Sequence, residues 1–290
     1  MTGILIIDKP AGWTSHDVVA KLRGVLKEKR IGHGGTLDPM ATGVLPIFIG
    51  RATRASEFCV NSEKEYIAGL KPGIVTDTQD ITGDTISICE ASVTTDDFFH
   101  VIPYFLGAQK QIPPMYSAIK QNGNKLYELA RRGVEVTRPA RDIYISNIEL
   151  LKYDGGEFTL RIVCSKGTYI RTLCHDIGQA LGCGGTLSSL RRTKAGAFSI
   201  DMAHTPDEIQ SAVQSGDIEK FLTNTDAMFS GYPAVTLDEP DSRRCRNGAP
   251  CPVRGLAEGT YRFYGPHDEF ILLGEVINAE IRIIKSFFEV

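Results

Sequence analysis

The stretch from Gly34 to Gly43, GGTLDPMATG, constrains the fold of this chain more than any other. Its glycines and Pro39 demand a loop, and the apolar run VLPIFI at 44–49 then has the continuous character of a buried strand. The loop therefore holds one carboxylate, Asp38, beside the protein interior. A nucleophile or general base benefits from such a loop on a rigid scaffold. An Asp-Pro pair also commonly caps a turn, so the residues alone leave both roles open.

Length, net charge and cysteine content limit the possible domain organisation and binding partners. A length of 290 residues predicts one large domain plus a small one, or two of similar size. The formal net charge of −3 excludes a polycation, so any nucleic acid must bind at a local patch. The cysteines are scattered and show no C-x-x-C or zinc spacing, as in reduced cytoplasmic proteins. The apolar run in MTGILIIDKP is too short for a secretory signal, and no later window approaches a membrane span.

Regular elements flank the loop. Gly3–Ile7 is predicted to be a buried strand, and Thr14-Ser15 to cap a helix from about His16 to Lys29. The apolar positions of this helix leave one basic face, formed by Lys21, Arg23, Lys27 and Arg30. Such a face is either solvated or in contact with phosphates, and the sequence leaves both readings open. Lys64–Leu70 alternates like a further strand.

Two segments carry opposite charge. Residues 76–97 contain six acids and no Lys or Arg, which predicts a face that repels phosphates. Residues 118–141 have a net charge of +4 and are rich in Gly, Asn and Gln around 120–125. This pattern predicts a mobile hairpin and helix that close on a polyanion.

The second half of the sequence predicts more strands and, towards its end, a change to short strands separated by prolines. Strands at 142–153 and 157–165 are joined by the hairpin turn Asp154-Gly155-Gly156. KGTYIR at 166–171 is predicted to lie where a strand ends and a helix begins. Its closely spaced basic residues form either an anion-binding site or ordinary surface charge. A basic strand follows at 187–194. After about Ser230, prolines and short strands predict a small β domain.

The sequence has no GxxxxGK[ST], GxGxxG, GxSxG or HExxH motif, the usual markers of nucleotide hydrolysis, dinucleotide binding, serine esterases and zincins. What remains suits a cofactor-free reaction on a nucleic-acid base. In addition, six segments resemble, in order, the motifs of the bacterial tRNA pseudouridine-55 synthase family. They are ILIIDKPAGWTSHD, GHGGTLDPMATGVLPI, KEYIAGL, QIPPMYSAIKQNGNKLYELARRGVEV, CSKGTYIRTLCHDIG and LRRTKAGAF.

The resemblance implies an α+β pseudouridine-synthase fold with a central, largely antiparallel mixed sheet flanked by helices. It implies a catalytic domain over 1–230, with a basic RNA-clamping insertion at about 115–141, and a small PUA-like β domain at 231–290. It further implies isomerisation of uridine 55 in the T-loop of tRNA without metal or cofactor. The enzyme is expected to be a cytoplasmic monomer that needs no membrane and no obligatory protein partner.

The resemblance also implies the site residues. Asp38 is the expected catalytic carboxylate, Arg171 the cation that keeps it ionised, and Tyr66 the ring that packs on the base and receives the C5 proton. His33, Tyr169 and Leu190 complete the expected substrate-binding set. Expected RNA contacts are Lys9, Lys120, Lys125, Arg131, Arg132, Arg191 and Arg192.

The sequence leaves three questions open. The route of the reaction can pass through C1′, through C6 or through a glycal. A non-catalytic RNA-binding or chaperone protein is one alternative function, and a guide-RNA-dependent synthase is the other.

Overall fold

The computed structural model describes residues 1–90, 92–121 and 123–288. Within these residues the helices are α1 (Ser15–Leu26), α2 (Ser56–Asn61), α3 (Thr95–Val101), α4 (Leu126–Ala130), α5 (Ile170–Ala180), α6 (Pro206–Ser215) and α7 (Glu239–Arg246). The strands are β1 (Gly3–Lys9), β2 (Ile31–His33), β3 (Thr42–Ile49), β4 (Lys64–Pro72), β5 (Ile74–Thr76), β6 (Thr85–Ile88), β7 (Gly107–Gln111), β8 (Lys120–Gln121), β9 (Asn124–Lys125), β10 (Arg141–Tyr153), β11 (Phe158–Cys164), β12 (Gly185–Ala195), β13 (Phe198–Ser199), β14 (Ala234–Thr236), β15 (Gly259–Tyr264), β16 (Phe270–Ile277) and β17 (Glu280–Ser286).

The chain divides into two compact units. The first unit comprises residues 1–38, 43–60 and those from 195 onward, and the second comprises residues 39–42 and 61–194. The first unit is therefore assembled from separate parts of the sequence, whereas the second is nearly continuous. No helix in the described residues has the length and apolar character needed to cross a bilayer.

Strand β3 organises the N-terminal part of the first unit. It pairs antiparallel with β1 from Gly3 opposite Ile49 to Lys9 opposite Gly43. It also pairs antiparallel with the short β2, where His33 lies opposite Ile47. Every residue of β3 from Gly43 onward is buried, which confirms the buried strand expected from its continuous apolar run.

Helix α1 begins as predicted and ends early. The hydroxyl of Thr14 accepts a hydrogen bond from the backbone N–H of Asp17 at 3.0 Å, and the Asp17 carboxylate accepts one from the N–H of Thr14 at 2.8 Å. This reciprocal pair is a capping box. The predicted end at Lys29 is wrong, because Lys27 adopts a left-handed conformation with φ 51° and terminates the helix after Leu26.

The second unit is built on an antiparallel run of strands. The spatial order is β12, β4, β11, β10, β7, and the pairs β4–β11, β11–β10 and β10–β7 are antiparallel. The strands predicted from alternation and from the Asp154-Gly155-Gly156 turn are confirmed. Strands β8 and β9 form the hairpin expected at 120–125, although Asn122 lies outside the described residues.

The C-terminal part of the first unit is the small β domain expected from sequence. Its sheet has the order β14, β15, β16, β17, with β14 parallel to β15 and the other pairs antiparallel. A separate core cluster of the first unit joins residues from its N-terminal and C-terminal parts, among them Ile4, Phe48, Phe229, Leu273 and Phe287. The α+β class with a small C-terminal β domain is thus confirmed.

Candidate active site

Asp38 lies on the connection between β2 and β3, in the first unit. The residue before it, Leu37, is clamped by Ser15 at the start of α1. The Leu37 N–H donates to Ser15 Oγ at 2.8 Å, and that hydroxyl donates to the Leu37 carbonyl at 3.2 Å. Ser15 is only 2 % exposed, so the clamp is shielded from water. The backbone is therefore fixed immediately before the half-buried Asp38.

A glycine is required at the entry of this connection. The Gly34 N–H donates to the Pro46 carbonyl at 2.8 Å, which holds the loop against β3. A Cβ atom at Gly34 would lie 2.7 Å from both Cys59 Sγ and Phe48 Cε2. The backbone at Gly34 lies so close to the core that a residue with a side chain would not fit there. His33, the residue before Gly34, is half-buried at the end of β2, so it lies directly before the connection that carries Asp38.

The second unit carries two apolar residues of the predicted site on neighbouring strands. Tyr66 on β4 is 9 % exposed and lies opposite Ile162 of β11. Leu190 on β12 is 8 % exposed, and β12 is the other neighbour of β4. A phenol ring and an aliphatic side chain on adjacent strands can supply the walls of a pocket for a planar base.

Tyr169 immediately precedes α5, and a buried amide holds its backbone. The Tyr169 N–H donates to Gln111 Oε1 at 2.8 Å, and Gln111 Nε2 donates to the Tyr169 carbonyl at 3.1 Å. Gln111, at the end of β7, is 5 % exposed. This side chain satisfies both backbone groups at the start of the helix. Gln111 was not predicted from the sequence, because a single Gln at the end of a polar strand carries no distinctive signal.

Arg171, in the first turn of α5, is 4 % exposed and is held by several groups of the second unit. Its Nη1 donates to the Thr78 carbonyl at 3.0 Å, and its Nη2 donates to the Tyr116 carbonyl at 2.7 Å. The guanidinium also forms an ion pair with Asp80 at 3.5 Å. The orientation of Arg171 is therefore determined by protein groups in the structure as it stands.

Asp80 belongs to the acidic run that was expected to form a phosphate-repelling face, and for Asp80 that expectation is wrong. The residue is 5 % exposed, because its carboxylate is turned inward onto Arg171. Its Oδ1 accepts hydrogen bonds from the hydroxyl of Thr78 at 3.0 Å and from the N–H of Thr82 at 3.0 Å. The Thr82 hydroxyl donates to the same oxygen. These donors supply the hydrogen bonds that a buried carboxylate cannot make to water.

Two residues expected to contact RNA lie in the interior. Lys9 is 0 % exposed, and its ammonium group donates to the carbonyls of Pro10, at 2.8 Å, and Trp13. Arg192 is 1 % exposed. Its neighbour Arg191 is half-buried and donates to Thr42 Oγ1 at 3.3 Å. The interior positions of Lys9 and Arg192 favour structural roles, since contact with RNA would require both side chains to move.

The basic insertion presents its charges differently. Lys120, Arg131 and Arg132 are exposed, whereas Leu126, the first residue of α4, is buried. Lys125 Nζ lies 5.3 Å and the Arg131 guanidinium 5.4 Å from the centroid of the Tyr127 ring. Cation–π contacts of this kind organise two of the basic groups around one aromatic ring. The surface is suited to a polyanion.

Comparisons with known proteins identify the family to which this chain is similar. The family model described as TruB family pseudouridylate synthase (N terminal domain) matches residues 23–170, and the model of the tRNA pseudouridylate synthase B C-terminal domain matches residues 171–230. tRNA pseudouridine synthase B of Clostridium kluyveri is 40 % identical over 99 % of this chain and 100 % of its own length. The protein of the same name from Alkaliphilus oremlandii is 45 % identical over 83 % of this chain and 87 % of its own length.

Solved structures extend the comparison to more distant proteins. An H/ACA ribonucleoprotein bound to a substrate RNA containing 2′-deoxyuridine includes a chain with a TM-score of 0.76 and 25 % identity, covering 99 % of this chain and 85 % of that one. A Cbf5–Nop10–Gar1 complex gives a TM-score of 0.75 and 27 % identity, with the same coverage. The fold and the matched family models together define a pseudouridylate synthase. Within that class, the chain belongs to the TruB family.

Proposed function

We propose that this protein isomerises uridine to pseudouridine in tRNA, acting on position 55 of the T-loop. The observation that carries the proposal is the clamped Asp38 loop, in a chain that matches tRNA pseudouridine synthase B of Clostridium kluyveri along its full length. The reaction breaks the C–N glycosidic bond, rotates the uracil, and joins its C5 to the ribose. The nucleotide loses one proton from C5 and gains one at N1, so its composition is unchanged, and the protein has to retain the detached base.

The target base must first leave its stack, which costs a few kcal/mol. Contacts to the RNA backbone offset that cost, and Lys120, Arg131 and Arg132 of the insertion are the exposed cations suited to it. His33 fills or contacts the space that the base vacates. It is suited to this because it ends β2, the strand that leads into the connection carrying Asp38.

Asp38 acts as the ionised catalytic carboxylate. It attacks C1′ of the ribose or C6 of the base, or assists ribose deprotonation on a glycal route. A desolvated Asp tends to take up a proton, and a guanidinium opposes that tendency. Arg171 is the proposed guanidinium, and its bonds to Thr78 and Tyr116 support the assignment because they orient it before substrate arrives.

Tyr66, Leu190 and Tyr169 bind the uracil. The ring of Tyr66 packs on the base, and its hydroxyl oxygen receives the proton released from C5 after reattachment while its own proton is passed on to N1, which the broken glycosidic bond has left without a partner. Leu190 supplies an apolar wall, and Tyr169 bounds the pocket. The nearly complete burial of Tyr66 and Leu190 supports this assignment, because a dry pocket keeps water from the detached base.

The test is incubation of the purified protein with unmodified tRNA transcript, followed by mapping of pseudouridine. We expect pseudouridine at one position in the T-loop and no turnover with Asp38→Asn. Arg171→Lys keeps the positive charge but loses the planar guanidinium with its paired N–H donors, so its rate should be strongly reduced. Asp207→Asn, at an exposed helix position, is the matched control and should turn over normally. Product formation by Asp38→Asn would overturn the assignment of the carboxylate.

The same assay separates the alternatives. A non-catalytic RNA-binding protein would bind transcript without forming the isomer. A guide-RNA-dependent enzyme would be inert on bare transcript. We favour a stand-alone enzyme because the H/ACA chains are 25–27 % identical to this one, whereas the two TruB relatives above are 40–45 % identical. We propose that it acts as a monomer. A cytoplasmic location accords with free cysteines and a tRNA substrate.

A further inference from the structure

A group of exposed cations lies where α1 ends and the chain turns into β2. It consists of Arg23, Lys27, Lys29 and Arg30, and we refer to it as the α1 patch. The one acid between Arg23 and Arg30 is Glu28, whose Oε1 accepts a hydrogen bond from the Arg30 N–H at 2.8 Å. Four positive side chains are thus presented within eight residues of a protein whose net charge is −3.

The α1 patch contrasts with several exposed basic residues that have carboxylate partners. Within the described residues, none of its four members forms an ion pair. By contrast, Lys110 pairs with Asp142 at 3.0 Å and Lys152 pairs with Asp154 at 3.5 Å, and similar pairs involve Arg161, Lys220, Arg243, Arg246 and Lys285. Unneutralised charges of one sign repel each other and attract a polyanion.

The two arginines of the patch are oriented by neutral groups. Arg23 Nη2 donates to the Ile31 carbonyl at 2.9 Å, and Arg30 Nε donates to Thr53 Oγ1 at 2.9 Å. Each guanidinium keeps further N–H groups for a ligand. Lys27 and Lys29 engage no acceptor among residues 1–90, 92–121 and 123–288. The patch therefore combines two guanidinium groups of fixed orientation with two ammonium groups on flexible lysine side chains. This combination is suited to binding phosphates.

Two elements of the first unit connect the patch to the Asp38 loop. Helix α1 starts at Ser15, which clamps Leu37, and its 12 residues correspond to about 18 Å at about 1.5 Å per residue. Strand β2 leads from Arg30 to His33, a path of about 10 Å at about 3.3 Å per residue. An RNA whose target nucleotide reaches Asp38 has its backbone within range of the patch.

We propose that the α1 patch binds phosphates of the tRNA backbone outside the T-arm. This inference rests on the proposed action on tRNA and adds a second anchoring surface to it. Phosphate contacts carry no base information, so the patch raises affinity and orients the substrate without selecting sequence. The chemical step at Asp38 does not depend on it.

The experiment uses the double variant Lys27→Gln/Lys29→Gln, because neither lysine makes a hydrogen bond that the described fold would lose. The matched control is Lys110→Gln/Lys152→Gln, which removes the same charge from exposed ion-paired positions. Affinity for full-length tRNA and for an isolated T-arm hairpin is measured by fluorescence anisotropy over a range of salt concentrations. Turnover is measured on the same two RNAs.

For the patch variant we expect weaker binding of full-length tRNA, a raised KM and an unchanged kcat. The slope of log K against log salt should become shallower by about 1.4 to 1.8, since each phosphate contact contributes about 0.7 to 0.9. Binding of the T-arm hairpin and all values for the control should match wild type.

Three results would overturn the proposal. They are a wild-type slope on full-length tRNA, an equal loss in the control variant, and an equal loss on the T-arm hairpin. Failure of the proposed function itself would show differently, as absence of pseudouridine with the wild-type protein.

Discussion

The buried ion pair between Arg171 and Asp80 yields the sharpest prediction about stability. The two side chains are 5 % and 7 % exposed, and the guanidinium lies 3.5 Å from the carboxylate. Asp80→Ala would leave the guanidinium buried without this counter-charge. Breaking a buried pair by removing one partner typically costs about 3–5 kcal/mol.

The surrounding bonds refine that figure. Asp80→Ala also removes the acceptor used by Thr78 and Thr82, at about 1 kcal/mol for each hydrogen bond. Arg171 meanwhile keeps the carbonyls of Thr78 and Tyr116, which limits the loss. We therefore expect about 4 kcal/mol for Asp80→Ala. Asp80→Asn keeps an oxygen for Thr82, so its loss should be about half as large.

The assay is urea unfolding at neutral pH, followed by far-UV circular dichroism. Fluorescence of Trp13, the single tryptophan, reports separately on the first unit. Glu149→Ala is the control, since its ion pair with Arg161 is 44 % and 43 % exposed and should contribute at most about 1 kcal/mol. The reasoning would be refuted if Asp80→Ala and Glu149→Ala destabilised the protein equally.

Three further predictions address other parts of the molecule. Ser15→Ala should lower kcat about tenfold or more with little effect on KM, because Asp38 loses the clamp on its neighbour; a wild-type kcat in single-turnover assays would contradict this. Burial raises the pKa of Asp176 above its ordinary 3.8, so its stabilising contribution is complete below that pH and is lost as pH rises through the folded pKa. Asp176→Asn should therefore stabilise the protein to urea at pH 7 but not at pH 3, and an equal gain at both would refute the assignment. Cys89 is exposed, whereas burial raises the pKa of Cys164 to about 11 and of Cys245 to about 12. At pH 8 we therefore expect one thiol to react rapidly with a disulfide reagent, and a second rapidly reacting thiol would contradict the burial pattern.

Much of the fold is predictable from local patterns. The continuous apolar run of β3, the alternation of β4 and the Gly-Gly turn between β10 and β11 each correspond to a regular element. The early end of α1 is not predictable in this way, because Lys27 takes a left-handed conformation that usually belongs to Gly or Asn. Two helices without an earlier prediction had a readable signal. Thr94 and Asp97, and likewise Thr205 and Glu208, form capping boxes at the starts of α3 and α6.

The environment of the site depended on contacts between distant parts of the sequence. Asp80 reads as one acid in a solvated acidic run, and only the approach of α5 makes it the partner of Arg171. Gln111 reads as an ordinary strand residue, yet it satisfies the backbone of Tyr169, which lies 58 positions later in the sequence. Such roles arise from tertiary packing and leave no local pattern.

The core that joins Ile4 and Phe48 to Phe229, Leu273 and Phe287 has a consequence for biosynthesis. A ribosome adds about 5–20 residues per second and releases the chain from its N-terminus. Residues 61–194 can therefore collapse while translation continues, although the strands that precede them still lack the partners that cover their apolar faces. We expect the segment that carries Asp38 to mature last, and a nascent chain halted near residue 200 to present Phe48 to chaperones.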